Sequence, residues 1–356
     1  MSDVDKVLVG AKALMVRGMF NLPSSVLRRL AGSPVEVDGR TLDPEMQLLL
    51  KVLRLEGPPV EKQPISRGRR TIRAQSVLGG GRQPIGAVTD RTIDGPGGPL
   101  ALRFYTPRGL SGRSPALVYL HGGGWIYGDL ASHDAVCRQL AEQAQVRVVA
   151  VDYRLAPEAP FPAAFDDCWA AWEWVAHHAA GLGIDPERIA IGGDSAGGNL
   201  AAVVAQHAAR PGGATGPGAA AATAPAFQLL IYPVTDFVER SASRATFADG
   251  FFLTKGFMDL AEENYLVGDE DRADRRLSPL RHDPSGVAPA YVVTAGFDPL
   301  RDEGAAYAAA MREAGVPVEE VCEEGLIHGF ANLVGLGRSG PRAMRRAASA
   351  LQRGLT

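Results

Sequence analysis

The stretch Arg188-Ile-Ala-Ile-Gly-Gly-Asp-Ser-Ala-Gly197 predicts a strand that runs directly into a tight turn, and the residues after it predict a helix. The pattern Gly-x-Ser-x-Gly between a strand and a helix is typical of a nucleophile elbow, which exposes a serine hydroxyl above a sheet. Gly193 and Gly197 lack the Cβ atoms that would clash in such a turn. In a chain with 42 glycines, the pentapeptide alone also fits a glycine-rich turn with a helix-capping serine. Ser195 is therefore a candidate nucleophile that needs supporting residues elsewhere.

A second junction between a strand and a loop, Leu117-Val-Tyr-Leu-His-Gly-Gly-Gly-Trp125, contains three successive glycines. Glycines let the backbone approach a ligand closely and turn its N–H groups towards it. The N–H groups of Gly122 and Gly123, with that of Ala196 directly after the serine, are predicted to form an oxyanion hole. Such a hole stabilises the anion that forms during acyl transfer. The aromatic residues after the glycines argue against a freely solvated loop.

An activated serine also needs an imidazole as base and a carboxylate that orients the imidazole. Asp298 follows the apolar segment 290–297, which predicts a buried strand, so Asp298 is expected at the sheet edge that carries sites in open α/β sheets. Among seven histidines, His328 follows a further predicted strand and precedes a glycine that lets the loop bend towards the serine. The chain order Ser195, Asp298, His328 is the order found where the nucleophile lies on an elbow of this kind.

The competing acids and histidines have structural interpretations. Asp302 and Glu303 fit the first turn of a helix, where acidic side chains interact favourably with the helix dipole. The other histidines belong to the oxyanion loop (His121), to predicted helices (His177, His178, His207) and to polar loops (His133, His282).

Together these motifs resemble the hormone-sensitive-lipase family of α/β-hydrolases, in the Gly-Asp-Ser-Ala-Gly branch that includes many bacterial type IV carboxylesterases. The similarity extends from about residue 88 to the C-terminus, and further matching stretches are Asp152-Tyr-Arg-Leu-Ala-Pro-Glu158, Phe161-Pro-Ala-Ala-Phe165 and Tyr232-Pro233. The resemblance implies Ser195 as nucleophile, His328 as general base and Asp298 as its partner. It also implies a ping-pong reaction through an acyl-enzyme.

The alternation of strands and helices predicts an α/β-hydrolase fold with an eight-stranded, mostly parallel, twisted sheet and helices on both faces. Predicted strands lie at 87–94, 99–106, 115–121, 146–153, 188–194, 227–232, 290–297 and 318–322. Predicted helices lie at 131–145, 162–180, 197–209, 301–314 and 341–353. The core is therefore predicted in two parts, 87–235 and 277–356. Residues 208–226, rich in Ala, Gly and Pro, predict a long mobile surface loop.

Two segments fall outside this alternation and are predicted to form a helical cap. Residues 1–60 show helical spacing of apolar side chains, and 236–276 are helical and acidic with several aromatic side chains; the resemblance places cap segments at both positions. A cap of this kind excludes water and binds the non-reacting part of the substrate. Residues 61–86 are left as an unassigned connecting segment. The candidates for the substrate pocket are Trp125, Tyr127, Asp194, Phe251 and Phe252.

Composition limits the remaining possibilities. The chain has 356 residues, 46% of them hydrophobic, which is enough for a substantial core. A net charge of −3 gives no reason to expect a nucleic-acid partner, and the arginine clusters at 67–73 and 342–346 fit solvated faces. The three cysteines lie far apart without metal-ligand spacing, so we expect neither a disulfide framework nor a metal site. We also expect no cofactor.

Location and assembly are less constrained. No stretch is apolar and long enough for an integral membrane segment, and an acidic N-terminus does not fit a signal peptide, so we expect a cytoplasmic protein. A membrane-surface helix over residues 1–20 is an alternative to a cap helix. The resemblance leaves a homodimer open, formed through the last strand and the adjoining helix.

The sequence thus predicts a serine carboxylesterase that hydrolyses short- to medium-chain esters, with a small-molecule ester as its partner. Three alternatives remain: a non-catalytic receptor for small molecules on the same scaffold, an amide, carbamate or N-acetyl hydrolase with the same triad, and a lipase of long-chain triglycerides. The presence of His328 disfavours the receptor, since the plant gibberellin receptor, which resembles this family, lacks the catalytic histidine.

Overall fold

The computed structural model describes residues 15–210 and 224–356. The strands are β1 (Glu36–Val37), β2 (Arg40–Thr41), β3 (Ala87–Gly95), β4 (Gly98–Thr106), β5 (Ser114–Leu120), β6 (Arg147–Val151), β7 (Ile184–Asp194), β8 (Phe227–Ile231), β9 (Ala290–Phe297) and β10 (Val318–Ile327). β1 and β2 form a small hairpin, and the other eight form one sheet in the order β10-β9-β8-β7-β5-β6-β4-β3. Antiparallel pairing is confined to β3–β4 and β4–β6 within that sheet, so the predicted eight-stranded, mostly parallel sheet is confirmed.

Helices cover both faces of the sheet. They are α1 (Ser24–Ala31), α2 (Pro44–Arg54), α3 (Ile65–Gly80), α4 (Asp134–Ala144), α5 (Ala163–His178), α6 (Ala196–Ala208), α7 (Ala242–Thr246), α8 (Lys255–Tyr265), α9 (Arg301–Glu313) and α10 (Ser339–Gly354). Short 3₁₀ turns occur at Val60–Lys62, Ala179–Leu182, Pro279–Arg281 and Phe330–Leu333. Residues 15–20 are also helical.

The core lies in two layers, one on each side of the sheet, because successive side chains of a strand point to opposite faces. Along β5, Val118 and Leu120 pack with α5 and α6, whereas Leu117 and Tyr119 pack with α4 and α10. The central strands β8 and β9 are buried at every residue, which explains why their sequences are unbroken apolar runs. The carboxyl ends of β7, β9 and β10 therefore meet at one edge of a rigid sheet.

Helix α3 lies in the segment that the sequence left unassigned. Its glycines lower the helix propensity, but they allow close packing on the core. A Cβ on Gly68 would lie 2.5 Å from the Tyr127 hydroxyl oxygen, and one on Gly80 would lie 2.5 Å from the Cβ of Ala135. These tertiary contacts, which no local pattern shows, select a helix here.

Two arginines bind α3 to the core; the expectation that residues 67–73 form a solvated face is wrong for the half-buried Arg69, whereas Arg73 is exposed. Arg69 donates to the backbone carbonyl of Ile126 (2.9 Å) and to that of Ala156 (2.8 Å), and it forms an ion pair with Glu158. Arg73 donates through Nε to Asp129 at 2.6 Å. The helix is thereby bound to the segment that follows the glycine-rich loop after β5.

Some expectations concern residues that the structure does not describe. The loop predicted at 208–226 lies mostly outside the described residues, as does most of the segment 1–20 for which a membrane-surface helix was considered. None of the helices in the described part of the chain is long and apolar enough to cross a bilayer. The three cysteines are free, and two of them are buried.

Candidate active site

Ser195 lies between β7 and α6 in a backbone conformation that non-glycine residues rarely adopt, with φ 55° and ψ −120°. The flanking glycines make this turn sterically feasible. A Cβ on Gly193 would lie 2.3 Å from the carbonyl oxygen of Leu120, and one on Gly197 would lie 2.0 Å from the same oxygen. The N–H of Ser195 donates to the carbonyl of Ile231 at 2.9 Å, which holds the strained residue in place.

The structure brings the predicted nucleophile, base and acid together. His328 Nε2 lies 2.9 Å from Ser195 Oγ, and His328 Nδ1 lies 2.7 Å from Asp298 Oδ2. Asp298 is completely buried, and its other carboxylate oxygen accepts the N–H of Leu300 at 2.8 Å. The ring of Tyr232 packs against the imidazole with 4.4 Å between the ring centroids. These contacts fix the order carboxylate, imidazole and hydroxyl that nucleophilic catalysis by serine needs.

The neighbouring acids Asp302 and Glu303 are not in this hydrogen-bond chain. Asp302 accepts the N–H of Ser243 at 2.8 Å, and Glu303 pairs with Arg244 at 2.7 Å and accepts the N–H of Thr235. Burial raises the pKa of Glu303, although Arg244 acts in the opposite direction. Both acids therefore fix the position of α7, and Glu303 also fixes the segment between β8 and α7. The sequence did not show this role.

The expectation that Gly122 contributes to an oxyanion hole does not fit the structure. Its N–H donates to Asp194 Oδ1 at 3.0 Å in a buried environment, so it is already used. Within residues 15–210 and 224–356, the N–H groups of Gly123, Gly124 and Ala196 donate a hydrogen bond to no protein acceptor. These three backbone donors are available to a ligand.

Asp194, a predicted pocket residue, borders the cavity beside the serine, but its carboxylate is engaged by protein groups. It accepts the Tyr119 hydroxyl at 2.7 Å and the Gly122 N–H, and it lies 3.3 Å from His133 Nε2. Burial acts to raise the pKa of Asp194, but His133, Tyr119 and the Gly122 N–H outweigh it, and the pKa lies below its ordinary value. A direct contact with substrate is therefore not the main role of this side chain.

Two cavities meet at Ser195. The larger, of about 530 Å³, borders His328, and most of its wall comes from α2, α3, residues 56–63 and residues 250–257. The smaller, of about 30 Å³, is lined by Trp125, Phe257 and Met258 among others. Ser195 lines both of them. A bound molecule that reaches Ser195 can thus extend into either cavity, and the two cavities differ strongly in volume.

The predicted pocket residues separate into two groups. Phe252 lines the larger cavity and Trp125 the smaller. Tyr127 and Phe251 line neither cavity in the described structure. Tyr127 is completely buried against Phe257, and Phe251 packs on aromatic rings behind the cavity wall. Their aromatic character serves packing.

The contribution of α3 to the larger cavity could not be predicted from the sequence, because the helix itself was not predicted. The lining residues from this helix are Arg67, Thr71, Ile72, Gln75, Ser76, Leu78 and Gly79. Among the described residues, no group of three or more His, Cys, Asp and Glu side chains is placed to hold a metal ion.

The comparisons with known proteins agree with this fold. Residues 117–332 match the family model described as alpha/beta hydrolase fold. The chain therefore belongs to the α/β-hydrolase family, in the branch of the hormone-sensitive-lipase-like esterases.

Its similarity to individual proteins extends over most of the chain. It is 44% identical to the carboxylic ester hydrolase LipN of Mycobacterium tuberculosis, over 93% of this chain and 88% of the relative. It is 39% identical to an ethyl acetate hydrolase of Pseudomonas putida, over 72% of this chain and 79% of the relative. The solved structure of the ester hydrolase EH1AB1 from the metagenome of Lake Arreo has a TM-score of 0.82 at 43% identity, covering 88% of this chain and 98% of that chain.

Proposed function

We propose that the protein is a serine carboxylesterase in which Ser195 is the nucleophile, His328 the general base and Asp298 the partner of the base. The single observation that carries the mechanism is the hydrogen-bond chain from Ser195 Oγ to His328 Nε2, 2.9 Å, and from His328 Nδ1 to Asp298 Oδ2, 2.7 Å. The activity class has independent support, because the relatives are named carboxylic ester hydrolases and esterases. The protein is therefore an enzyme of the carboxylic ester hydrolase class.

The reaction proceeds in two halves. Ser195 Oγ attacks the ester carbonyl carbon while its proton passes to His328 Nε2, and Asp298 stabilises the resulting imidazolium. The tetrahedral intermediate expels the alcohol, which takes the proton from His328, and an acyl-enzyme remains. Water then attacks the acyl-enzyme with His328 again as base. The acid leaves and the serine hydroxyl is restored.

The negative oxygen of each intermediate is stabilised by backbone donors. We assign this role to the N–H groups of Gly123 and Ala196, as the sequence predicted, and to that of Gly124 in place of Gly122. Ala196 begins α6, whose N-terminus adds the positive end of the helix dipole. Each such donor contributes about 10²–10³ in kcat in comparable enzymes.

The two cavities indicate the class of ester. A volume of about 30 Å³ holds about two or three water-sized groups, since a single water fills about 10–15 Å³ of such space. The larger cavity, of about 530 Å³, accepts a medium-length chain or a ring. The substrate is therefore a short- to medium-chain ester in which one side of the scissile bond is small. The helices before residue 81, together with residues 236–276, act as the cap that encloses the larger side; a cytoplasmic location and a homodimer stay predictions.

Covalent labelling tests the assignment of the nucleophile. A p-nitrophenyl alkylphosphonate should release one equivalent of p-nitrophenol per chain and abolish hydrolysis of p-nitrophenyl acetate, because the serine bond to phosphorus is not hydrolysed readily. Peptide mass spectrometry should locate the adduct on Ser195. An active enzyme labelled at a different residue would refute the triad, and an inert wild type would favour a receptor.

Isomeric esters test the substrate class. Among the eight-carbon esters hexyl acetate, ethyl hexanoate and butyl butanoate, we expect kcat/KM for the better unsymmetrical ester to exceed that for butyl butanoate by about 10-fold or more, since each misfitting methylene changes selectivity by about 10- to 200-fold. Initial rates can be followed by titration of the released acid. Met258→Ala, which enlarges the smaller cavity, should reduce this preference. Butyl butanoate as the best substrate would contradict the proposal.

A further inference from the structure

One buried carboxylate joins the two halves of the oxyanion hole. Asp194 directly precedes Ser195 in the elbow, and Ala196, which supplies one of the donors, directly follows the serine. The same carboxylate accepts the N–H of Gly122, the first glycine of the loop that supplies the other donors. The Tyr119 hydroxyl donates to it as well, at 2.7 Å. The position of the Asp194 side chain therefore sets the distance between the donor on the elbow and the donors on the loop.

A buried carboxylate needs a compensating positive charge or several donors. In the part of the chain that the structure describes, His133 is the one basic side chain within 4 Å of the Asp194 carboxylate, with its Nε2 at 3.3 Å. His133 itself is 4% exposed. Tyr119 is neutral, since burial raises its pKa well above the ordinary value. Burial lowers the pKa of the nearby His121 to about 4, and His133 adds to this effect, so His121 supplies no charge.

The surroundings of His133 also fix its protons. Ser132 Oγ lies 2.9 Å from His133 Nδ1, accepts the N–H of Asp129 and donates its own proton to the Asp129 carbonyl. The Ser132 oxygen must therefore accept the Nδ1–H of the imidazole. The other nitrogen, Nε2, faces the Asp194 carboxylate, which can only accept, and it also lies 3.3 Å from the side-chain amide of Asn332. The imidazole of His133 is thus held by Ser132 on one side and placed against the Asp194 carboxylate on the other.

We propose that His133 is a positioning residue for the oxyanion hole, which acts through Asp194. It holds the carboxylate where it accepts the Gly122 N–H, and it gives this buried anion a partner beside the site where the negative oxygen develops. Without His133, the Asp194 carboxylate is an uncompensated charge next to the intermediate, and it is free to take donors from the larger cavity, which both side chains border. The inference rests on the proposed function, because it concerns the same intermediate.

A double-mutant cycle tests this role. His133→Gln keeps a side-chain donor but removes the imidazole ring, and His133→Phe removes the ring nitrogens and leaves no donor. We expect kcat to fall by about 10-fold for His133→Gln and further for His133→Phe, whereas KM should change by less than about twofold. The fall in kcat for His133→Gln is smaller than the 10²- to 10³-fold effect of a lost oxyanion donor. In an Asp194→Asn background, the same changes at His133 should alter kcat by less than about twofold, since coupled residues are not additive.

His282→Gln is the matched control, because His282 is half-buried, bonds to the Ala273 carbonyl and borders neither cavity. It should leave kcat unchanged. The inference would be overturned if His133→Gln lowered kcat by the same factor in the wild type and in Asp194→Asn, or if His133→Gln kept the wild-type kcat. The proposed function would still stand in that case, because the labelling of Ser195 tests it separately. If His133→Phe does not fold, the cycle with His133→Gln decides alone. An inert wild type would instead refute the proposed function.

Discussion

Replacing Ser195 with alanine is expected to lower kcat for p-nitrophenyl acetate by about 10⁵- to 10⁶-fold, since the loss of a triad serine removes the covalent route altogether. The residual rate should still exceed that of the uncatalysed reaction by about 10³-fold, because the backbone donors and the cavity remain. Stability should change little. The hydroxyl caps no backbone group of α6, and alanine keeps the same Cβ.

The measurement needs both activity and folding. Initial rates with purified Ser195→Ala and its melting temperature by circular dichroism give the two numbers. Ser349→Ala, on the exposed side of α10, is the matched control for the loss of a serine hydroxyl and should retain full activity. A variant of Ser195 that keeps more than about 1% of wild-type kcat would exclude Ser195 as the nucleophile, since the residual rate of such variants lies far below this level.

The residues proposed as nucleophile, acid and base could be singled out from the sequence because each lies directly after a strand. The apolar run before Ser195 and the one before Asp298 are buried parallel strands, and strands of this kind deliver their following residues to a common edge. His328 directly follows a third strand, which ends at the same edge. In these cases a local pattern of a few residues fixes both the secondary structure and the side of the sheet on which the chemistry lies.

The oxyanion donors could not be assigned one by one from the glycine pattern. A run of three glycines indicates that backbone N–H groups approach a ligand. It does not indicate which of these N–H groups already donates a hydrogen bond within the protein. The answer depends on a contact between Gly122 and Asp194, which are 72 residues apart in the chain. The role of His133 was equally hidden, since its partner Asp194 is distant in sequence and its own segment is an ordinary polar loop.

The wall that α3 gives to the larger cavity could not be predicted from the sequence, for a different reason. Helix α3 is selected by close packing of Gly68 on Tyr127 and by hydrogen bonds from Arg69 to two backbone carbonyls. Glycine and arginine on a segment suggest a loop or a solvated face when the partner surface is unknown. The volume and direction of the larger cavity follow from this helix, so the substrate preference could be derived only in general terms from the sequence.

Gly123→Ala should damage catalysis without damaging the triad. Gly123 has φ 124°, which alanine adopts only with strain, and an added Cβ would lie 2.3 Å from the carbonyl oxygen of Tyr127. That oxygen is part of the backbone and cannot rotate away. The turn is also closed by a hydrogen bond from the Tyr127 N–H to the Gly123 carbonyl, 2.9 Å long. The loop must therefore shift, and the Gly123 N–H shifts with it.

We expect kcat of Gly123→Ala to fall by about 10²- to 10³-fold, the effect of one lost oxyanion donor, with a smaller change in KM. The matched control is Gly286→Ala, where φ is 79° but no atom lies within 4 Å of the added Cβ, so that backbone strain is tested without the steric clash. Because a trifluoromethyl ketone adds to the serine and mimics the intermediate, its inhibition constant should rise by a similar factor as kcat/KM falls. A variant that melts like the wild type but keeps wild-type kcat would show that the Gly123 N–H does not bind the oxyanion.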